Sequence, residues 1–232
     1  MSTLVFVPGL LCTDVLFAPQ INAFRDEINI VVADTFGMDS ITAMAEALLS
    51  KTEGDLIVVG LSMGGYIAME AARLAPDRLS ALGLLSTAAD EDSAKRRQLR
   101  HELIRISKMG KFKGVTPRLL PQFLSPQALL NAALKQQVTD MAGSVGQENF
   151  VLQQTAILNR SDQRAYLPDF NKPSLVLCGM LDQLTPPEKS TEMAALLGDC
   201  ELVLLEQTGH LSTLEAPEQS IEAIRRLIQR TQ

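Results

Sequence analysis

Histidine and large aromatic residues are scarce in this chain: its 232 residues include two His, two Tyr and no Trp. His101 and His210 stand far apart, with no H-x-H or H-E-x-x-H spacing, so a zinc hydrolase would be poorly supplied with ligands. Three cysteines, Cys12, Cys178 and Cys200, also lack metal-ligand spacing, and an odd number cannot all pair within one chain. A reducing compartment is the simpler reading. There is no cationic excess: 21 Lys and Arg against 27 Asp and Glu give a net charge of -6, which makes nucleic acid a poor partner. No apolar run approaches the roughly 20 residues that span a bilayer, and the opening Met1 to Pro8 carries no cationic leader. The expectation is a soluble cytoplasmic protein with no membrane partner. Neither a G-x-G-x-x-G loop nor a P-loop lysine is present, so no cofactor is expected.

Hydrophobic residues, at 46%, are enough for one large α/β domain. Six apolar runs have strand length: Leu4 to Val7, Ile28 to Ala33, Leu56 to Val59, Leu79 to Leu85, Leu175 to Cys178 and Leu202 to Leu205. Their lack of polar alternation predicts strands covered on both faces, hence a mostly parallel sheet flanked by helices. Ile41, Met44, Ala45, Leu48 and Leu49 mark one helix face behind a cap at Asp39; Ile221, Ile224, Leu227 and Ile228 mark another after Pro217. Between Leu85 and Leu175 the alternation stops. Helical content over 95–109, 126–141 and 147–160 predicts an insertion, spanning 89–168, that covers the end of a core built from 1–88 and 169–232.

Gly60-Leu61-Ser62-Met63-Gly64 lies directly behind a buried strand and ahead of a helix whose Gly65, Ala68, Ala71 and Ala72 keep one side slim. That context suits a tight strand-to-helix turn presenting the Ser62 hydroxyl as a nucleophile. A serine needs a base and a group to orient that base. His210 follows the last predicted strand, whereas His101 sits among Lys95, Arg96, Arg97, Arg100 and Arg105, where a solvated imidazole is expected. Asp182 follows the fifth strand and gives the order Ser, Asp, His; Asp90, just past the fourth strand, competes for the same role.

These stretches resemble the α/β-hydrolase superfamily, in particular its small bacterial esterase-like members with a helical lid. Gly60 to Gly65 is similar to the family's nucleophile elbow, Gly179-Met180-Leu181-Asp182 with Thr185-Pro186 to its acid loop, and Gly209-His210 to its histidine loop. The resemblance implies an α/β-hydrolase fold with six core strands in place of eight. It implies acyl transfer by Ser62, Asp182 and His210, with the oxyanion met by the backbone amides of Leu10 and Met63. Pro8 stands where the family usually has a histidine after the opening strand. The implied activity is hydrolysis of a small-molecule carboxylic ester, with a lactonase, thioesterase, amidase or carbon-carbon bond hydrolase using nearly the same groups and a ligand-binding scaffold as the non-enzymatic alternative.

Leu11, Cys12, Met109, Met180 and Leu211 are candidate pocket walls, mostly aliphatic, and Cys12 close to the oxyanion loop predicts sensitivity to thiol reagents. Residues 95–118 carry nine Lys or Arg and one acidic residue, Glu102. This asymmetry marks either a solvated face or a lid that draws in an anionic or polar substrate.

Overall fold

The computed structural model describes residues 2–110 and 112–232. Alternation along β1 (Thr3–Val7) sets the two faces of the sheet: Leu4 and Phe6 enter one apolar layer, Val5 and Val7 the other. The chain continues through α1 (Ala18–Phe24), β2 (Asn29–Val32), α2 (Ile41–Ser50), β3 (Leu56–Leu61), α3 (Met63–Leu74) and β4 (Leu79–Leu85). After the helical insertion come β5 (Ser174–Gly179), α6 (Pro187–Leu196), β6 (Cys200–Leu205), the short α7 (Ser212–Glu215) and α8 (Pro217–Gln229). All six strands are parallel, in the order β2-β1-β3-β4-β5-β6.

The six strands fall where the apolar runs place them. Only the inner four are buried throughout or nearly so; β2 and β6 are half-buried, with Leu202 and Leu204 partly exposed, because each is an edge strand with a neighbour on one side only. Burial of Phe24, Ala223, Ile224 and Leu227 places α1 and α8 on the Leu4 face, while Met44, Ile67, Ala68 and Met193 place α2, α3 and α6 on the opposite face. The strand order reverses between β1 and β3. Loops leaving the carboxyl ends of those two strands therefore diverge, opening the crevice where sites in such sheets lie.

One local expectation shifts. Ser40, not Asp39, caps α2: its Oγ accepts from the Ala43 N–H at 3.4 Å, so the usable side chain is the one immediately before the helix. Pro217 opens α8 as expected.

The insertion carries α4 (Ala94–Met109) and α5 (Ala132–Leu158). Asn131 starts α5 by accepting from the Leu134 N–H at 3.1 Å, which leaves 126–130 outside the α-helix, its Ala128–Leu130 in a 3-10 turn. Gly146, at φ +80°, breaks α5 into two pieces, a conformation that glycine adopts without steric cost. Val115, Leu120, Leu124, Val138, Met141 and Phe150 of the insertion join the same buried layer as Leu61 and Phe6. Among the described residues, no helix is long and apolar enough to cross a membrane.

Candidate active site

Ser62 occupies φ +57°, ψ −116° between β3 and α3, a backbone conformation that a non-glycine residue adopts only when its surroundings impose it. The imposing contacts are backbone on backbone. A Cβ on Gly64 would lie 1.9 Å from the Val7 carbonyl oxygen, and one on Gly60 would lie 2.1 Å from the Gly64 carbonyl oxygen. The Ser62 N–H donates to the Leu85 carbonyl at 3.0 Å, and its own carbonyl accepts from the Gly65 N–H at 2.9 Å and Thr87 Oγ1 at 2.7 Å. With its main chain so committed, the side chain stands free: among the described residues the Ser62 hydroxyl has no hydrogen-bond partner, and it lines a cavity that His210 also lines.

His210 is buried, and its Nδ1 lies 2.8 Å from Asp182 Oδ2. Asp182 Oδ1 accepts from the N–H groups of Leu184 and Thr185 at 2.8 and 2.9 Å, and Thr185 Oγ1 donates to Oδ2 at 2.8 Å. Burial pushes the Asp182 carboxyl up, but the His210 imidazole and these donors outweigh it and hold the group below its usual value. A carboxylate anchored at both oxygens leaves the imidazole one orientation, with Nδ1 toward Asp182. Asp90 is committed elsewhere, accepting from Lys189 Nζ at 2.6 Å. His101 lies exposed on α4.

Gly9 to Cys12 form a turn closed by the Cys12 N–H donating to the Gly9 carbonyl at 3.1 Å. The Leu11 N–H donates to Gln153 Oε1 at 3.0 Å. Among the described residues the N–H groups of Leu10 and Met63 have no acceptor within the protein. Two free amides thus flank the serine, one from the loop after β1 and one from the first residue of α3.

The cavity has a volume of about 510 Å³. Leu11, Cys12 and Leu211 line it, together with Val138, Met141 and Phe150. Met109 and Met180 do not. Met109, 74% exposed, ends α4 with its sulfur against Arg105, and Met180, 47% exposed, turns outward one residue beyond β5. Leu99 and Ile106, each more than half exposed yet lining the cavity, mark its mouth. Cys12 is buried, and loss of hydration pushes its thiol up to about 12. Among the described residues, no group of three or more His, Cys, Asp and Glu is placed to hold a metal ion.

Much of the basic character of 95–118 is spent internally. Arg96 donates to the Leu184 carbonyl, Arg97 to the Leu158 carbonyl at 2.6 Å, Arg100 to Asp92 and to Gln154 Oε1, and Arg105 pairs with Glu102. Lys111 lies outside the described residues. Arg96, Arg100 and Lys113 reach the cavity wall.

Of the supporting residues, Thr185 belongs to the acid loop already singled out, whereas Thr87, Glu215, Ser125 and Phe123 carry no local signal in the sequence. Thr87 steadies the elbow, and Thr185 steadies the acid. Glu215 Oε2 accepts from the N–H groups of Gly209 and Ser125 at 3.1 and 2.8 Å, and the Phe123 carbonyl accepts from the N–H groups of His210 and Leu211. The histidine loop is therefore fastened to the insertion.

A parallel sheet with a strained serine elbow and a buried Asp-His pair at one cavity defines a hydrolase architecture. The model of the alpha/beta hydrolase fold family matches residues 18–217. The chain belongs to the α/β-hydrolase fold family and is a serine hydrolase of it. It is 29% identical over 235 residues to a putative carbamate hydrolase RutD of Serratia proteamaculans, covering 93% of this chain and 86% of that one. It is 25% identical over 210 residues to a pimeloyl-[acyl-carrier protein] methyl ester esterase of Photobacterium profundum, covering 82% and 77%. A thermophilic esterase from Thermogutta terrifontis, solved with malate bound, superposes with a TM-score of 0.89 at 26% identity, covering 100% of this chain and 90% of that one. The enol-lactonase of Burkholderia xenovorans shares the fold, with a TM-score of 0.82 at 19% identity over 98% and 91% of the two chains.

Proposed function

We propose that the protein hydrolyses a carboxylic ester of a small molecule through an acyl-enzyme intermediate on Ser62. His210 takes the Ser62 proton as the hydroxyl attacks the carbonyl carbon, and returns it to the departing alcohol. Asp182 holds the imidazole with Nδ1 protonated, leaving Nε2 as the base. The N–H groups of Leu10 and Met63 meet the oxyanion, each such donor being worth about 3 kcal/mol in the transition state. Water then attacks the acyl-enzyme with His210 again as base, which frees the acid and restores Ser62.

One observation carries this reading: an unpartnered hydroxyl, an imidazole oriented by a buried carboxylate, and Leu10 with its unpaired amide all line one cavity, and the second unpaired amide belongs to Met63, the residue directly after the serine. The aliphatic and phenyl lining of that cavity favours an apolar acyl group over a small polar carbamate. In this reading residues 89–168 form the cap of a core made by 1–88 and 169–232, and three unpaired thiols suit a reducing cytoplasm.

The test pairs hydrolysis of p-nitrophenyl butyrate with labelling by a fluorophosphonate located by peptide mass. Wild-type protein turns over and labels at Ser62; Ser62→Ala, folded by circular dichroism, does neither. Undiminished turnover by purified Ser62→Ala overturns the assignment.

A further inference from the structure

Leu11 is a residue that its own backbone disfavours. It sits third in the turn Gly9 to Cys12 at φ +60°, in the left-handed region where glycine is the usual occupant of such a turn. The conformation persists because the peptide between Leu10 and Leu11 is gripped at both ends. Its N–H donates to Gln153 Oε1 at 3.0 Å, and its carbonyl accepts from Cys12 Sγ at 3.4 Å.

Gln153 is itself held. An amide N–H can only donate, which fixes the carboxamide with Oε1 toward Leu11, and Nε2 then donates to Thr35 Oγ1 at 3.2 Å. Gln153 and Thr35 are both buried. The glutamine comes from the second piece of α5, 142 residues along the chain, whose Asn149 also accepts from the Gly37 N–H at 2.9 Å. One helix of the insertion thus clamps the loop after β1 and the loop after β2.

We propose that Gln153 is the positioning residue of the oxyanion loop: by holding the Leu11 amide it keeps the neighbouring Leu10 N–H free and aimed at the reacting carbonyl. This rests on the acyl-transfer reading above. It also accounts for the tolerance of Pro8, since the loop is braced by a helix of the insertion and not by a side chain at its own start. A turn released from Gln153 would rotate its central peptide to relieve the positive φ of Leu11, carrying the Leu10 amide out of line.

Four substitutions, one pair of them also combined, test this with p-nitrophenyl butyrate as substrate. Ser62→Ala first settles the underlying reading: if it retains turnover, that reading fails on its own. Gln153→Met, which keeps side-chain length without the acceptor, is expected to lower kcat about 10- to 100-fold with KM within about two-fold, approaching the effect of losing one oxyanion donor. Leu11→Gly removes the strain that Gln153 restrains, so the loss caused by Gln153→Met should shrink several-fold in a Leu11→Gly background. A purely structural glutamine would cost the same in both. Should Gln153→Met fail to fold, Thr35→Val loosens the carboxamide without deleting it, and a fall in kcat at constant KM is expected. Inactive Ser62→Ala beside unchanged kcat in folded Gln153→Met, equal losses in both Leu11 backgrounds, or unchanged kcat in Thr35→Val overturns the proposal.

Discussion

Asp182 Oδ2 stands 2.8 Å from His210 Nδ1, and both side chains are almost wholly buried. Asp182→Asn preserves the shape but lets the imidazole settle with its proton on the wrong nitrogen. A loss in kcat of about 10⁴-fold is expected, with the circular dichroism spectrum unchanged. Steady-state kinetics on a p-nitrophenyl ester measures it, and a loss under ten-fold would remove Asp182 from the role given to it.

Acid stability follows from carboxyls held low. Glu70 is bonded by Arg73, and also by Thr42 and Gln163, which brings it down to about 2, and Asp182 and Asp92 are lowered as well. A carboxylate whose folded value is depressed stabilises the fold above its unfolded value and loses that contribution as pH falls toward the folded one. Tm should therefore be level above about pH 5 and decline from there to about pH 2. In Glu70→Gln the decline should be shallower, from a lower starting Tm. Differential scanning fluorimetry over that range decides it.

Gly64 touches the Val7 carbonyl so closely that a methyl group has nowhere to go. Gly64→Ala should destabilise the protein by about 3 kcal/mol or more, since the obstruction is backbone and no rotamer avoids it. For a chain of this size that corresponds to a Tm lower by roughly 6–12 °C. A variant melting with the wild type would mean that β1 and α3 can part without cost.

Thiol reactivity should be slow in the native state. Burial pushes Cys12 and Cys178 up to about 12 and Cys200 up to about 11, so little thiolate exists near neutral pH. Titration with a chromogenic disulfide should find Cys200, the half-buried one, reacting first and all three reacting rapidly only in denaturant. Rapid native reaction at Cys12 with loss of activity would contradict the burial and restore the obstruction that its place in the sequence implies.

What can be read from the residues alone is what depends on near neighbours. The strands are legible because uninterrupted Val, Ile and Leu runs have few alternatives, and the elbow because strand, glycines and slim helix are contiguous from Leu56 to Ala72. Asp182 and His210 stand out because each follows a strand in a fixed order. Side-chain direction is not legible in this way: Met180 and Met109 are near the right elements, yet both point to solvent. Nor are contacts between distant segments. Gln153 meets Leu11 across 142 positions and Glu215 meets Ser125 across 90, and nothing adjacent to either residue announces the pairing. Chain order favours Asp182 over Asp90 without eliminating the latter, and only the structure shows Asp90 engaged by Lys189.

The helical insertion is fastened to all three loops of the site: Gln153 to the loop after β1, Arg96 to the loop that carries Asp182, and Phe123 with Ser125 to the loop that carries His210. A cap that swung open as one body would tear those ties and scatter the machinery it shelters. Opening as one body would break all of these ties together, whereas Leu99 and Ile106 at the doorway can yield with the roof in place, so the girth of the guest is expected to weigh more in admission than a hinge.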